Sequence, residues 1–472
     1  MVPGVFDVIV VGGGAAGLPC ATFAAQRGAK VLVLEHAVQV GGTLHFSTGQ
    51  MSAAGTRLQK TLGITDTPAA HLADIERING GTGDKVLIAL AVENAAETFD
   101  WLMDHGFTAL PEHPVLGHGH EPYSERRYYW GEEGGLSVLQ ALLPPFEREV
   151  RAGRITLATE TEALALIAAD NVVTGVRARG PDGREQRFSG KNVVLTTGGY
   201  SRDPAFYREV TGRTQYVAMA YPFARGAGHK MGVAVGGTLR GRENYMALFG
   251  LLVDSHEFPA PITYAPDLHA HSRLPWELFV NARGERFVRE DELSIHARES
   301  RLIEQPGVRF WAVFDEEILR AAPPILKNVS RAKVRALFAT HPMFYRGETL
   351  AALAAKAGID AAGLAASVRR YNEALASGAR DAWGRAHRPR AIASPAYYAI
   401  LFHGGATGGP VGLTVDGALR VTDKGGRPIR NLYAAGEVLG CGQTMGKAFV
   451  GGMNVTPAMT FGRLLGQKLL GW

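Results

Sequence analysis

The chain has little that would indicate a secreted, membrane-spanning or nucleic-acid-binding protein. Its 472 residues include two cysteines, Cys20 and Cys441, whose wide separation gives no disulfide framework and favours a reducing compartment. No apolar run reaches transmembrane length, and no run of Lys or Arg indicates a nucleic-acid surface. We therefore expect a cytoplasmic protein with no membrane span, no nucleic-acid partner and no metal site.

The sequence also lacks a haem-attachment motif and a recognisable signal peptide. The chain contains no Cys-x-x-Cys-His, which excludes a c-type haem attached to it. The first apolar segment begins so early that we expect no signal peptide. A net charge of +5 is small for this length, and 46% hydrophobic with 20% charged residues is typical of a globular protein of two or three domains.

A strand, a glycine turn and a helix open the chain. Residues 8–11 predict a buried strand and residues 18–26 an Ala-rich helix, with Gly12, Gly14 and Gly17 between them in G-x-G-x-x-G spacing. These glycines allow a tight turn, a close approach of the backbone to a pyrophosphate, and close packing of the helix on the strand. The helix N-terminus adds N–H groups and the positive end of a dipole. The pattern predicts a dinucleotide site.

Two further segments identify the dinucleotide. Glu35 follows a second predicted strand, residues 30–34, at the spacing of a ribose-binding acid, and its charge disfavours a 2′-phosphate. Residues 431–437 predict a strand that runs into a turn at Gly436 and Glu437, near the other end of the chain. Because both ends contribute to one site, we predict FAD rather than NAD.

The remaining patterns outline the architecture. Residues 41–56 are small and polar and predict a loop on the cofactor, while the aromatic, Gly-rich stretch 118–135 is either an active-site wall or a surface loop. A helical period runs over 92–106. Further elements are predicted as hairpin strands at 155–157 and 172–179, a strand at 192–199 that ends in glycines, and helices at 349–356 and 364–375.

The change of character along the chain predicts an inserted domain. Residues 216–390 mix short strands, Pro-rich turns and amphipathic helices, whereas residues from 391 return to Gly-rich strands. We predict an α/β fold: a Rossmann-like FAD-binding domain made of residues 1–215 and 391–472, with an α+β substrate (cap) domain of residues 216–390 inserted into it.

Five segments carry a family resemblance. They are residues 41–55, with Gly41-Gly-Thr and Thr48-Gly-Gln-Met-Ser-Ala-Ala-Gly, residues 197–200, residues 225–232, residues 279–290 and residues 445–462. Together they resemble the fumarate reductase / 3-ketosteroid dehydrogenase superfamily of FAD enzymes, over nearly the whole chain. The resemblance implies that a hydride moves between flavin N5 and a carbon β to a carbonyl or carboxylate, while a side chain handles the proton on the α carbon.

The motifs and the resemblance together give a set of predicted cofactor contacts. They are Gly12, Gly14, Ala15, Ala16, Gly17, Glu35, His36, Gly42, Thr43, Thr48, Gly49, Gln50, Met51, Ala163, Thr197, Gly198, Gly436, Glu437, Gly452, Asn454 and Val455. Succinate dehydrogenases bond FAD covalently through a histidine in the 41–55 loop. The matching position here is Thr43, with His45 two residues away, so we expect non-covalent FAD.

The proton-handling position departs from both named members of the superfamily. Fumarate reductases have an arginine there and the steroid enzymes a tyrosine, but the gapless match in this chain is Ser294, a poor acid or base when unassisted. His296 and Arg298 lie within a helical turn of it. We favour His296, because histidine as a residue type can serve as an acid or a base near neutral pH. Arg298 is the fumarate-like choice, and a solvent-facing helix is the structural alternative.

The substrate-holding position departs as well. Where fumarate reductases have a carboxylate-binding arginine and the steroid enzymes a carbonyl-binding tyrosine, this chain has Phe449. Its aromatic ring suits an apolar or carbocyclic substrate body. Lys447 lies close enough in sequence to contact an anion, and backbone N–H groups near Gly452 and Met453 remain candidates to bind a carbonyl oxygen.

Less specific candidates complete the predicted site. His403 lies slightly upstream of the position of the substrate-binding histidine of fumarate reductases. Tyr128 and Tyr129 are alternatives for a tyrosine role, and Tyr245 and Tyr264 are weaker ones. We interpret Cys20 and Cys441 as buried, inert thiols.

The sequence thus predicts an FAD-dependent dehydrogenase, acting on CH–CH groups, that introduces a C=C bond α,β to the carbonyl of a small or medium cyclic ketone or keto acid. Its partners would be that substrate and an unknown electron acceptor or oxygen. The first alternative is a fumarate-reductase-like reductase of an unsaturated acid or enone. An alternative of another class is a flavin electron carrier or sensor, against which the large predicted cap domain argues.

Overall fold

The computed structural model describes residues 4–217, 220–406 and 408–470. The chain divides into two compact units. The first unit comprises Met1–Arg213, Ala220–Tyr245 and Gly408–Trp472, and the second comprises Thr214–Met219 and Met246–Thr407. The second unit overlaps the predicted cap of residues 216–390 without matching its bounds. The assignment of substrate binding to that region remains a prediction.

The strands are numbered along the chain. They are β1 (Phe6–Val11), β2 (Val31–Leu34), β3 (Met51–Ser52), β4 (Tyr128–Tyr129), β5 (Ile155–Ala158), β6 (Glu162–Ala169), β7 (Val172–Arg179), β8 (Glu185–Leu195), β9 (Leu239–Arg240), β10 (Leu248–Val253), β11 (Ile262–Tyr264), β12 (Leu278–Val280), β13 (Arg309–Asp315), β14 (Phe344–Gly347), β15 (Tyr397–Gly405), β16 (Gly412–Leu413), β17 (Arg420–Thr422) and β18 (Pro428–Ala434).

The α-helices are numbered in the same way. They are α1 (Gly17–Gln26), α2 (Arg57–Thr61), α3 (Pro68–Asn79), α4 (Lys85–Asp104), α5 (Gly135–Arg151), α6 (Pro204–Thr211), α7 (Ala227–Ala234), α8 (Ile295–Ile303), α9 (Glu316–Ala321), α10 (Arg331–Thr340), α11 (Leu350–Ala357), α12 (Ala361–Ala376), α13 (Cys441–Met445) and α14 (Val455–Lys468). Within the described ranges, none of these helices has the length and apolar character needed to cross a membrane.

The core of the first unit is a sheet dominated by parallel pairs. Its strand order is β17-β18-β7-β8-β1-β2-β5, with β6 paired to β7. Strand β1 pairs in parallel with β2 and β8, and β5 and β18 join the same parallel layer. Strands β1 and β2 consist almost entirely of buried apolar residues, as expected for parallel strands covered on both faces. This places the turn after β1 at the carboxyl edge of the sheet, where α/β proteins bind ligands.

The second unit is built on an antiparallel sheet. Its order is β11-β10-β15-β13-β12, with β14 also paired to β15. Strand β15 lies at its centre, and its partners β10, β13 and β14 all run antiparallel to it. A cluster of aromatic rings packs on the sheet, with Phe249 and Phe310 centroids 4.6 Å apart and Phe310 and Phe402 centroids 5.5 Å apart. Polar N-caps begin helices here: Ser294 and Asp315 each accept an N–H bond at the start of α8 and α9.

Most predicted elements are confirmed, and one pairing is wrong. The strands around residues 8–11 and 30–34 and the helices at 18–26, 349–356 and 364–375 are present within one to three residues of the predicted bounds. The helix predicted at 92–106 is also present, but it begins seven residues earlier, at Lys85. The predicted hairpin of residues 155–157 with 172–179 does not form. Strand β5 pairs in parallel with β2, and β7 forms hairpins with β6 and β8 instead.

A buried ion-pair network fixes the segment that precedes β4. Arg127 donates to both oxygens of Asp66, at 2.9 and 2.8 Å, and to Asp74 of α3. The Asp74 carboxylate also accepts from the backbone N–H and hydroxyl of Ser124, at 2.8 and 2.7 Å. Burial raises the pKa of Asp74, but hydrogen bonds from Ser124 and Arg77 and the charge of Arg127 outweigh it and lower the pKa to about 2.

This network predicts a stability loss in acid. Because the folded-state pKa of Asp74 is lowered from 3.8 to about 2, its contribution is complete above 3.8 and is lost as the pH falls through 2. We expect the difference in unfolding free energy between wild type and Asp74→Asn to shrink by about 2 kcal/mol over that window. Denaturant unfolding at a series of pH values measures it. The exposed Asp104 is the control, because Asp104→Asn should change stability by less than about 1 kcal/mol. A difference that stays constant with pH would contradict the prediction.

Candidate active site

The turn between β1 and α1 is shaped by close backbone contacts. A Cβ at Gly12, whose φ is +102°, would lie 2.5 Å from the Thr196 carbonyl oxygen, and one at Gly17 would lie 1.9 Å from the carbonyl oxygen of Gly12. Only glycine fits these two positions. Gly14 differs, because a Cβ there would meet no atom within 4 Å apart from its chain neighbours. No side chain caps α1 after Ala15 and Ala16, so its N-terminus is open to an anion.

Glu35 is fixed against this turn. Its Oε2 accepts the N–H of Gly13 at 2.8 Å and its Oε1 accepts the N–H of Ala37 at 2.9 Å. Burial raises the pKa of Glu35, while these two backbone bonds oppose the rise. The Glu35 carbonyl accepts the N–H of Thr161 at 2.9 Å, which brings Ala163 of β6 to the same edge. The carboxylate is therefore held in place, with lone pairs left for ribose hydroxyls.

The segment after Glu35 folds back to the glycine turn. The N–H of Gly41 donates to the Gly13 carbonyl at 2.8 Å, and a Cβ at Gly42 would lie 3.4 Å from the Gly14 Cα. Predicted contacts with exposed side chains along this stretch are His36, Thr43 and Thr48. The Nε2 of His45 lies 3.0 Å from the Val40 carbonyl oxygen, so this ring nitrogen is occupied by the loop itself.

The next residues connect the cofactor segment to aromatic side chains. A Cβ at Gly49 would lie 2.4 Å from the backbone of Gly134. The Gln50 side-chain oxygen accepts the hydroxyl of Tyr128 at 2.6 Å. Met51 lies in β3, which pairs with β4. The predicted loop 41–56 is therefore anchored at both ends within the first unit.

The predicted turn after β18 meets the same region. A Cβ at Gly436 would lie 3.1 Å from the Ala16 side chain. The Glu437 carboxylate accepts backbone N–H bonds from Gly199 and Gly409, and burial raises the pKa of Glu437 to about 7. The two ends of the chain thus converge on one edge of the sheet, as the FAD prediction requires.

The 445–455 loop packs on β3. A Cβ at Gly452 would lie 2.3 Å from the Ser52 nitrogen, and the Ser52 N–H donates to the Thr456 hydroxyl at 2.9 Å. The N–H of Met453, a predicted carbonyl binder, already donates to the Val450 carbonyl at 3.2 Å. This leaves Gly452 as the backbone candidate in the loop. Asn454, exposed, precedes α14, and Val455 begins it.

Phe449 presents an aromatic surface in this loop. Its ring stacks on His120, with centroids 3.8 Å apart and an interplanar angle of 26°. Nearby, the hydroxyl of Tyr123 donates to the Gly451 carbonyl at 2.5 Å. Lys447 is exposed, and its backbone N–H donates to the Thr82 hydroxyl at 2.9 Å. The stretch 118–135 therefore contributes a wall to the loop through His120 and Tyr123.

The two tyrosines of β4 are interior residues. Both are buried, and burial raises the pKa of Tyr128 and of Tyr129 above its ordinary value. The Tyr129 hydroxyl lies 3.0 Å from the Thr56 hydroxyl and donates to the Ala53 carbonyl at 3.2 Å. Its ring packs on Phe99, with centroids 4.2 Å apart. A buried hydroxyl whose hydrogen bonds are made inside the protein is poorly suited to proton transfer. The catalytic role of Tyr129 stays a prediction.

Tyr129→Phe separates a structural from a catalytic role. Because the hydroxyl bonds inside the protein, we expect turnover to stay within about threefold of wild type, against the 10²- to 10⁴-fold loss typical when an acid or base is removed. The unfolding free energy should fall by about 1 kcal/mol. Steady-state turnover and denaturant unfolding measure the two effects. A hundredfold loss of turnover with unchanged stability would restore Tyr129 to the mechanism.

The proton-handling candidates lie at the start of α8 in the second unit. Ser294 is the N-cap, and its hydroxyl accepts the N–H of Ala297 at 3.1 Å. His296 is half-buried, with Nε2 3.4 Å from the Ser300 hydroxyl. The sequence analysis gave a helix here as the structural alternative to a catalytic role, and the capping bond accounts for Ser294 without catalysis. The role of Ser294 or His296 in proton transfer stays a prediction.

Arg298 lies on the buried side of α8 and contacts a residue that the sequence analysis did not single out. It donates to the Leu268 carbonyl and, at 2.6 Å, to Nδ1 of His269. Its Cζ lies 4.9 Å from the centroid of the Phe249 ring. Burial lowers the pKa of Arg298 to about 10. No spacing in the sequence links His269 to α8, so only the fold could reveal the pair.

The other predicted site residues of the second unit are His403 and Tyr264. His403 of β15 is fully buried between Tyr216 and Phe258, with ring centroids 4.6 and 5.3 Å away. Burial lowers the pKa of His403 to about 3, so the ring is neutral. Tyr264 is half-buried in β11. Of the remaining tyrosine candidates, Tyr245 belongs to the first unit, where the guanidinium of Arg213 lies 4.4 Å from its ring centroid.

The thiols match their predicted environment. Cys20 and Cys441 are both buried and unpaired with each other. Burial raises the pKa of Cys20 to about 12 and also raises that of Cys441. Neither thiol is a nucleophile at neutral pH.

The first unit fits FAD. Its glycine turn leaves open space at Gly14, its Glu35 carboxylate faces the turn, and two further segments return to the same edge. In the described part of the chain, the buried Oγ1 of Thr197 has no hydrogen-bond partner, which leaves it for a ligand at the end of β8. Next to it Gly198, with φ +73°, turns the chain. A parallel sheet with these features defines a dinucleotide-binding flavoprotein.

Comparison with known proteins agrees with this class. Residues 7–455 match the family described as FAD binding domain, and the chain belongs to it. The fumarate reductase (cytochrome) of Shewanella frigidimarina is 27% identical over 464 residues, which cover 98% of this chain and 76% of that protein. The 4-oxocyclohexanecarboxylate 2-dehydrogenase of Sinomonas cyclohexanicum is 26% identical over 549 residues, covering 99% and 93%.

A solved structure shows the same fold. The 3-ketosteroid delta1-dehydrogenase from Sterolibacterium denitrificans aligns with a TM-score of 0.73 and 21% identity, covering 99% of each chain. The resemblance to the fumarate reductase / 3-ketosteroid dehydrogenase superfamily is confirmed. The chain is an FAD-dependent oxidoreductase that acts on carbon–carbon bonds.

Proposed function

We propose that this protein is a dehydrogenase that introduces a C=C bond α,β to the carbonyl of a small or medium cyclic ketone or keto acid. The observation that carries the proposal is Phe449, whose ring stacks on His120 in the loop where a dicarboxylate-binding enzyme would need an arginine. A flat aromatic surface favours a carbocyclic substrate body. The similarity to a dehydrogenase of 4-oxocyclohexanecarboxylate supports the same substrate class.

In this proposal, residues of the first unit bind FAD and a residue of the second unit transfers the proton. Bound FAD supplies the two-electron oxidant. Glu35 would hold the ribose, and the N-terminus of α1 beyond Gly14 would hold the pyrophosphate. In the second unit, His296 would take the proton from the α carbon, which becomes acidic only when charge on the carbonyl oxygen is stabilised. We assign the substrate-handling role of the predicted cap to this unit.

The test is an anaerobic reaction of the oxidised enzyme. We expect a cyclic ketone or keto acid, such as 4-oxocyclohexanecarboxylate, to bleach the visible flavin band without added reductant. Linear saturated dicarboxylates such as succinate, mixed under the same conditions, are the control for substrate class. Bleaching by succinate alone, or by none of the cyclic compounds, would contradict the proposal.

We also propose that FAD is bound without a covalent link. The support is that the position of the linking histidine is Thr43, and that Nε2 of His45 is engaged with the Val40 carbonyl. Acid precipitation of the purified protein is therefore expected to release the yellow colour into the supernatant. A pellet that keeps its colour after washing would contradict this, and His45→Ala would then identify the linked residue.

The second candidate function is a reductase of an unsaturated acid. It is favoured by Arg298, the fumarate-like choice of proton donor, and by the similarity to fumarate reductases. Against it, the guanidinium of Arg298 is fully buried and engaged with Leu268 and His269. Anaerobic flavin spectra distinguish the two functions. In a reductase, an unsaturated acid would reoxidise the chemically reduced flavin, and a saturated ketone would not bleach the oxidised flavin.

A further inference from the structure

Four aromatic rings form a continuous row in the first unit. The ring centroids of His36 and Phe223 are 4.3 Å apart, and those of Phe223 and Tyr221 are 5.6 Å apart. The Tyr221 ring continues to Phe46, with centroids 5.9 Å apart. The interplanar angles of 42°, 58° and 53° show tilted rather than face-to-face pairs, as expected for contacting rings. We call these four residues the aromatic row.

The aromatic row is open to solvent. Phe46 is 65% exposed and His36 is exposed, while Tyr221 and Phe223 are half-buried. Single exposed apolar side chains are ordinary on a protein surface, whereas a contiguous exposed group is typical of a binding site. The aromatic row therefore has rings available for a ligand or a partner.

One end of the aromatic row lies beside the acid that is expected to bind ribose. His36 directly follows Glu35, whose Oε2 accepts the N–H of Gly13 in the glycine turn at 2.8 Å. Burial and the charge of Glu35 raise the pKa of Tyr221. The Tyr221 side chain is therefore within electrostatic range of the Glu35 carboxylate.

The other end of the aromatic row is joined to the same glycine turn. Phe46 belongs to the segment that begins with Gly41 and Gly42. The N–H of Gly41 donates to the Gly13 carbonyl at 2.8 Å, and a Cβ at Gly42 would lie 3.4 Å from the Gly14 Cα. Both ends of the row are therefore attached to the turn that is expected to hold the pyrophosphate of FAD.

Backbone bonds hold the two central rings of the aromatic row in place. The Tyr221 carbonyl accepts the N–H of Ala224 at 2.9 Å, in a turn that contains Phe223. Directly after this turn, the N–H of Gly226 donates to the Gly199 carbonyl at 3.0 Å, which ties the segment to the chain that follows β8. Because the backbone is fixed in this way, little freedom is lost when a ligand stacks on these rings.

We infer that the aromatic row binds the adenine of FAD, and that Tyr221 and Phe223 are adenine contacts that no motif in the sequence indicates. This rests on the proposed place of the adenosine ribose at Glu35. Adenine is attached to that ribose and is a flat heteroaromatic ring, so it lies beside the acid and can stack on aromatic side chains. The flavin ring is separated from this ribose by the pyrophosphate and the ribityl chain, which is why the row is assigned to the adenine.

FAD release from the holoenzyme measures this contact. Purified holoenzyme is diluted in steps, and free FAD is separated by ultrafiltration and quantified, which gives the Kd. We expect Phe223→Leu and Tyr221→Leu each to raise the Kd of FAD at least about fivefold, the lower range for the loss of a base–aromatic stack. Tyr221→Phe, which keeps the ring, should stay within about twofold of wild type.

ADP identifies the half of the cofactor that the aromatic row contacts. As a competitor of FAD, ADP carries the adenine, the ribose and two phosphates but no flavin. Its inhibition constant should rise in Phe223→Leu by the same factor as the Kd of FAD. The control is Leu62→Ala, which removes a 48% exposed apolar side chain at the end of α2 in the same unit and should change neither constant. Circular dichroism establishes that each variant is folded.

The outcomes separate this inference from the proposed function. An unchanged Kd of FAD in both leucine variants would overturn the inference and favour a protein partner for the row. A raised Kd of FAD with an unchanged inhibition constant of ADP would also overturn it, because the effect would not come from adenine. If no ketone bleaches the wild-type flavin while the leucine variants lose affinity for FAD and ADP alike, the inference stands and the dehydrogenation fails. If ketones bleach the wild type while both variants keep full affinity, the dehydrogenation stands and the inference fails.

Discussion

Gly14→Ala is expected to give a folded protein that has lost nearly all its FAD. A Cβ at this position would meet no atom within 4 Å beyond its chain neighbours, so the chain itself tolerates the methyl group. The pyrophosphate does not, since the second glycine of the motif is where the backbone approaches it most closely. Hydrogen bonds to a charged group contribute about 1.5–3 kcal/mol each, so losing two of them weakens binding at least about a hundredfold.

The experiment compares flavin affinity with stability. Apoprotein is titrated with FAD, and thermal unfolding of the apoprotein is recorded beside it. The matched control is Gly417→Ala, because Gly417 is exposed in the same unit and a Cβ there would only meet the exposed Val86 side chain, at 3.2 Å. That variant should bind FAD as wild type does. Gly14→Ala protein that keeps wild-type flavin affinity would place the pyrophosphate elsewhere.

His296→Ala is expected to lose turnover by 10²- to 10⁴-fold, roughly the contribution of a general acid or base, while keeping its FAD. The reason is that His296 is the half-buried titratable group in the first turn of α8, and Ser294 beside it is engaged as the helix cap. The measurement is the rate of anaerobic flavin bleaching by a responding substrate, with the visible absorbance of the protein reporting bound FAD.

A control on the same helix identifies indirect effects. Arg301 lies on the exposed side of α8 and pairs with Glu304 at 3.3 Å, so Arg301→Ala should bleach within about twofold of wild type. Ser294→Ala, by contrast, removes a cap and is expected to cost about 1 kcal/mol of stability. Near-normal bleaching by His296→Ala would remove this residue from the mechanism and leave the proton to another group.

Local patterns predicted the first strands and helix of the FAD-binding unit, while the individual cofactor contacts stay predictions. The turn at Gly12, Gly14 and Gly17 and the acid Glu35 are short-range features, because each requirement acts within a few residues of a strand or helix end. The convergence of Gly436 and Glu437 on the same edge was predicted because a strand running into a Gly-acid turn is a recognisable unit.

Features that depend on distant contacts were missed. Residues 155–158 and 172–179 both have the composition of strands, but β5 pairs with β2 and β7 pairs with β6. The sequence of a single strand does not specify which other strand it pairs with. His269 meets Arg298 across a sequence separation of 29 residues, through a fold that no motif describes. The stack of His120 on Phe449 is likewise a tertiary contact, although the aromatic stretch around it was recognised.

The central claim, α,β-dehydrogenation of a cyclic ketone, is tested most directly by product analysis after a single anaerobic turnover. Oxidised enzyme would be mixed with an excess of the cyclic keto acid that bleaches its flavin, and the products would be separated and identified. The account predicts one α,β-unsaturated ketone for each flavin reduced, and no further product until an electron acceptor is added. Reduced flavin without an unsaturated product, or a hydroxylated or cleaved ring, would contradict it.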